Sequence, residues 1–354
     1  MTKGKAILKD ILPEFTDPLF SIFIIFLLGF FVALGAYFFE FYKKQKEHNS
    51  LLFFLEKFES NECSLDTQNL KYESSMLTPL SLLAKAFEKS GEYHRAISIY
   101  LFLIKNIPDE LPKYELMEYL GNTYLGAGFL GRAESIYLDI LSVHPRNKSV
   151  LYSLGVVYEL THNFISAKET LIPLETLGED TSKLRSFFDF ESLVYDKKIS
   201  TNEKINALAE LYKQYPNLYR LIIDQLFKLD PKRAWSIYDN KKTADIVDII
   251  WFLDKEKIDF NITKDDNIMG EIFFIKGYTD KVADFSDNLN LNMLNLAKQN
   301  NFDKATLVFS YICSVCRVAF PTSFKRCPNC KAVNSIKVED ELGKATQKSD
   351  HSLL

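Results

Sequence analysis

A period of 34 residues begins at position 77 and constrains this chain more than any other feature. Its frame runs over 77–110, 114–147 and 148–181. The seventh and eighth positions read Leu83-Ala84, Leu120-Gly121 and Leu154-Gly155, and the eleventh reads Phe87, Tyr124 and Tyr158. The twentieth is Ala96, Ala133 and Ala167, and the twenty-fourth is Tyr100, Tyr137 and Leu171. Pro108 and Pro145 close the first two units, and Glu179 stands there in the third. Small residues at eight and twenty let two helices approach closely. Large ones at seven, eleven and twenty-four fill the space between neighbouring units. Proline ends the second helix, and Gly91 and Gly128 mark the turn between helices.

This pattern resembles the tetratricopeptide repeat. The implied fold class is mainly α, a solenoid of stacked helix pairs with an extended concave face that binds peptides or proteins. Later units are eroded. Ala207, Leu211 and Pro216 read as the second helix of one, and Leu218, Leu221, Ala234 and Tyr238 as another, with Asp230-Pro231 opening its second helix. Segment 258–285 reads as a loop or a distorted repeat. Lys85, Glu88, Asn122 and Glu159 are the candidate groove residues, with a solvated surface as the blander reading of each.

Pro18 to Phe39 carry no charge over 22 positions, enough for a membrane-spanning helix. The run ends in aromatics and FYKKQK rather than at a small-residue cleavage site, which predicts an uncleaved anchor. Lys3, Lys5 and Lys9 precede it and Lys43, Lys44 and Lys46 follow, so charge does not set the orientation.

Four of the five cysteines lie within eighteen residues: Cys313, Cys316, Cys327 and Cys330, spaced C-x2-C-x10-C-x2-C. Two such turns supply four soft ligands to one tetrahedral ion. Sulfur in all four positions predicts a closed, structural site for one zinc, with rubredoxin-type iron as the alternative. Arg317, Lys325, Arg326, Lys331 and Lys337, with no acid among residues 313–337, are placed to offset the charge of the thiolates. Free zinc-binding thiols suit a reducing compartment, which places the large C-terminal part in the cytoplasm. Cys63 reads as a small apolar residue.

A net charge of -4 and the lack of base-stacking aromatics among the ribbon cations argue against nucleic acid as a partner. No Walker loop, G-x-G-x-x-G, H-E-x-x-H or G-x-S-x-G is present. His48, His94, His144, His162 and His351 read as surface or turn residues. The chain is therefore read as a scaffold rather than an enzyme.

Anchor, repeats and ribbon together resemble the LapB (YciM) family, lipopolysaccharide assembly protein B, most specifically in YICSVC, RCPNCKA and the following SIK. The four metal positions of the family carry over to Cys313, Cys316, Cys327 and Cys330. This chain departs from the family at Arg317, where Gly is usual, at Phe324-Lys325-Arg326, at Val333, and in the 17 residues ahead of the anchor. The resemblance implies a single-pass inner-membrane adaptor that coordinates lipopolysaccharide synthesis with export. In some species such proteins act with the protease FtsH to limit the deacetylase LpxC. It also implies a ribbon packed against the repeats. The alternative is a scaffold of another envelope machine, a flagellar motor or secretion apparatus. The expected map is a tail over 1–17, the span over 18–42, a juxtamembrane helical segment over 43–76 and three clear repeats over 77–181. Degenerate repeats over 182–310, a ribbon over 311–337 and a mobile tail over 338–354 follow.

Overall fold

The computed structural model describes residues 72–261 and 266–345, together with Leu34. Leu34 is helical, and the rest of the apolar run 18–42 lies outside the described residues, as do Cys63, His48 and His351. Among the described residues no helix is long and apolar enough to cross a membrane. The chain is mainly helical with a small C-terminal sheet. It forms two compact units, Met1–Leu116 and Met117–Leu354.

In the first unit, α1 (Leu77–Lys89) packs on α2 (Tyr93–Asn106). The buried side chains are Ala84 on α1 and Ala96, Ile99, Tyr100 and Leu103 on α2. Gly91 makes the turn at φ 80, a left-handed geometry that costs glycine nothing. Ile107 is extended, as the residue before Pro108 must be, and α2 ends there. Leu83, expected in the core, is partly exposed.

The unit boundary falls inside α3 (Glu110–Gly126), which α4 (Leu130–Val143) follows. Gly121 faces the Tyr137 ring so closely that a Cβ would stand 2.6 Å from it. Position eight is thus small because position twenty-four is large. α5 (Lys148–Leu160) packs on α6 (Phe164–Glu169) and α7 (Leu171–Thr176). Those last two are one helix in the first two units. Here Pro173 lacks the N–H that would bond the Glu169 carbonyl, and the helix breaks at Thr170. No proline ends this unit. Gly178, at φ 83, closes it instead, and Glu179 N–H bonds Leu174 O.

α8 (Ser182–Tyr195) pairs with α9 (Thr201–Gln214), which opens on a capping box of Ser200 and Glu203. α10 (Tyr219–Leu229) pairs with α11 (Pro231–Ser236), where the Asp230 carboxylate caps the N–H groups of Lys232 and Arg233. A short α12 (Val247–Trp251) follows. Within 258–285 a nine-residue helix, α13 (Asn267–Ile275), forms behind an Asp266 cap. α14 (Leu289–Gln299) leads to the sheet.

The sheet has the order β2-β1-β3, from β1 (Ala305–Cys313), β2 (Ala319–Phe320) and β3 (Ile336–Lys344). β1 and β3 are antiparallel over nine pairs, Ala305↔Lys344 to Cys313↔Ile336. Residues 338–344 are therefore strand, which corrects the expectation of a mobile tail there; 346–354 lie outside the described residues. The charged run VEDELGK hides a pairing surface. Asp340 accepts hydrogen bonds from Asn288 and Asn290, and Gly343 lies so close to Val308 that a Cβ would clash. One apolar core runs from Leu151 on α5 through α8 to α14 and on to Leu307, Phe309, Tyr311 and Val333. Within the second unit, the helices from α5 onward and the ribbon thus share one core.

Candidate metal centre

β1 delivers Cys313 as its last residue, and Cys316 follows in the turn before β2. Cys327 and Cys330 occupy a second turn, where Arg326 bridges to Val333 ahead of β3. The two turns are built alike. Arg317 N–H donates to Cys313 O at 2.9 Å, and Lys331 N–H to Cys327 O at 3.0 Å. Cys313 N–H donates to Val318 O at 3.0 Å, and Cys327 N–H to Ala332 O at 2.8 Å. Arg317 and Lys331 close the turns at φ 63 and 62.

Backbone N–H groups point at the sulfurs in the same symmetric way. Val315 and Cys316 serve Cys313, and Asn329 and Cys330 serve Cys327. Val318 serves Cys316, and Ala332 serves Cys330. The Ser335 hydroxyl adds a 3.3 Å contact to Cys313 Sγ. Such donors stabilise thiolate over thiol. Burial acts to raise the Cys313 thiol, but the N–H groups of Cys316 and Val315, with Ser335 and Cys330, hold it down at about 6. Burial, joined by the neighbouring thiols, pushes Cys330 up to about 12.

All four Sγ atoms lie within 4.8 Å of one another. Cys313 and Cys330 are 3.6 Å apart, and Cys316 and Cys327 are 3.7 Å apart. A disulfide needs about 2.05 Å. Four sulfurs each ~2.3 Å from a central ion form a tetrahedron with edges of ~3.8 Å, which the set fits. The four thiols can therefore hold one metal ion. No histidine or carboxylate joins the group among the described residues.

Three of the ribbon cations, Lys325, Arg326 and Lys337, pair with acids outside the thiol cluster. Arg326 forks the Glu159 carboxylate on α5, with Nε 3.0 and 2.9 Å from its two oxygens. Lys325 Nζ donates to Glu191 on α8 at 2.9 Å. Tyr152 on α5 donates its hydroxyl to Lys331 O at 2.8 Å and accepts from Arg326 at 3.2 Å. Lys337 pairs with Glu339 on its own strand. Burial lifts the Glu159 carboxyl above its ordinary range, against the Arg326 fork.

The candidate groove residues divide accordingly. Glu159 is buried under the ribbon. Asn122 accepts from the Tyr137 and Ser153 hydroxyls. Lys85 and Glu88 lie half-buried on α1. Tyr152 and Glu191 escaped the sequence reading, since neither stands at a marked repeat position. The available signal was the Lys325-Arg326 doublet beside Cys327, two cations that need acids somewhere. No protein-family model matches this chain, and no curated protein matches it in sequence.

Proposed function

We propose that this chain is a non-enzymatic adaptor of tetratricopeptide type, anchored in the inner membrane by residues 18–42 and serving lipopolysaccharide assembly. Its ribbon holds one structural zinc on Cys313, Cys316, Cys327 and Cys330. The carrying observation is the closed four-sulfur site on a ribbon pinned to helix pairs. Its Sγ atoms converge within 4.8 Å, with no histidine or carboxylate beside them among the described residues. A catalytic zinc keeps one position for water or substrate, whereas four thiolates fill the shell and leave a fold-holding role. Helix pairs of this kind present surface for proteins rather than a pocket for chemistry. The anchor would keep that surface beside membrane enzymes, so modest affinities suffice. The LapB-like ribbon motif directs the reading to lipopolysaccharide enzymes, exporter subunits, FtsH and LpxC as partners.

The test is a gentle detergent pull-down of the full-length chain from its own membranes, with LpxC level and lipopolysaccharide content measured in a deletion strain. Lipopolysaccharide enzymes or FtsH in the eluate, with altered LpxC, are the expected result. Flagellar or secretion components with unchanged lipopolysaccharide would replace the function and keep the architecture.

A further inference from the structure

The ribbon is held differently at its two ends. Its root is held mainly by apolar packing, with one polar link through Tyr311. Leu307, Phe309 and Tyr311 share the helical core, and Phe309 meets Phe252 edge-to-face at 5.7 Å. The Tyr311 hydroxyl bonds Asp248, which Arg220 forks at 2.7 and 2.6 Å. Its metal end meets α5 and α8 largely through charged and polar groups, although Val333 beside Arg326 belongs to the apolar core. Lys325 reaches Glu191, Arg326 reaches Glu159, and Tyr152 bonds the Lys331 carbonyl. Arg326 also lies over the Phe187 ring at 5.5 Å, and Lys325 lies 5.5 Å from Phe190 and from Tyr195.

A buried ion pair is a poor permanent glue. Two apolar side chains of equal volume hold as well or better, because neither has to shed its hydration. Charge suits a contact that opens, since both halves are stable in water once apart. The arrangement is also specific. Two acids on neighbouring helices, walled by aromatic rings, read one lysine and one arginine that are adjacent in sequence. The planar fork on Glu159 demands a guanidinium.

We propose that Tyr152, Glu159 and Glu191 form a recognition site for a Lys-Arg pair on a partner protein, which Lys325-Arg326 fills in cis. The cis occupant is tied to the metal centre, because Arg326 precedes Cys327 and Lys331 follows Cys330. A loaded centre holds the occupant in place, and an emptied one frees it while the root stays docked. The site rests on this geometry and not on the lipopolysaccharide reading, so either can fail alone.

The test uses the full-length chain in detergent and a fluorescein-labelled peptide of sequence SFKRSP, read by anisotropy. An internal occupant lowers apparent affinity by the fraction of time the site is open. The expected result is weak binding to the metal-loaded protein and binding at least about tenfold tighter to the Lys325→Ala/Arg326→Ala variant. Adding Glu159→Gln and Glu191→Gln should abolish that gain. Chelator-treated wild type gives a second open form, whatever the folding of the double variant. Absence of binding to both open forms, equal binding to open and closed forms, or binding indifferent to the glutamine changes overturns the proposal.

Discussion

Arg326 and Glu159 stand 167 residues apart in sequence, yet the guanidinium meets both oxygens of the carboxylate, with Nε 3.0 and 2.9 Å from them. Each side chain is 9% exposed. Breaking such a pair from one side strands the other charge. Arg326→Ala should therefore cost about 3 kcal/mol in urea unfolding, the low end for a buried pair, because lifting the metal end lets water reach Glu159. Replacing both residues by leucine should cost much less. A loss below about 1 kcal/mol for the single change would mean the pair already behaves as a surface one.

Cys327→Ser removes one of the four thiols that can hold the ion, from a fully buried position. Metal binding supplies folding energy to a ribbon whose two turns exist to hold it. Metal content should fall, and trypsin should cut within 313–335 while α5 and α8 to α10 stay resistant. Full metal content with an uncut ribbon would remove the structural role of the ion.

Both the helix pairs and the four-thiol cluster were readable because each rests on local spacing. The small residue at Gly121, the turn at Gly91 and the two C-x2-C turns are all fixed by neighbours close in sequence. The contacts that decide how the ribbon sits are not local. Glu191 carries no mark of its partner Lys325, which lies 134 residues later. The strand at 338–344 was hidden for a related reason. Its apolar alternation, Ile336 and Val338, gives way to Glu339-Asp340-Glu341, and pairing with β1 rather than burial holds it. In the third unit a proline inside the helix replaced the proline after it, so the period ran out where the structure simply used Gly178.

Arg317 occupies a left-handed turn position at φ 63, where Gly would be unstrained. A non-glycine residue there costs roughly 1–2 kcal/mol. Glycine gives back about 0.5–1 kcal/mol through the freedom it gains when unfolded. Arg317→Gly should then stabilise the metal-loaded protein by about 0.5 kcal/mol, seen as a small rise in urea midpoint with unchanged slope. A drop would show that the Arg317 side chain makes a contact worth more than the strain.

Gly121 and Gly131 make an internal comparison. A Cβ on Gly121 would stand 2.6 Å from the Tyr137 ring, whose hydroxyl is tied to Asn122 at 2.7 Å, whereas one on Gly131 would meet nothing within 4 Å. Gly121→Ala should cost about 1–3 kcal/mol by overpacking. Gly131→Ala should gain up to about 1 kcal/mol from helix propensity. A thermal midpoint for Gly121→Ala at or above that of wild type would contradict the close approach of α3 to α4.

Glu159 also predicts a pH dependence. Burial raises its carboxyl above the ordinary 4.5, and the Arg326 fork and Lys325 only partly offset this. The folded state therefore holds this proton more tightly than the unfolded chain. The stability it contributes is complete below 4.5 and is lost as pH rises through the folded pKa. Glutamine cannot titrate, so the stability of wild type relative to Glu159→Gln should decline as pH climbs from below 4.5 towards neutrality. Protonation of the four thiols affects both proteins alike and drops out of the difference. A difference that rises with pH instead would mean that Arg326 outweighs burial at this carboxyl.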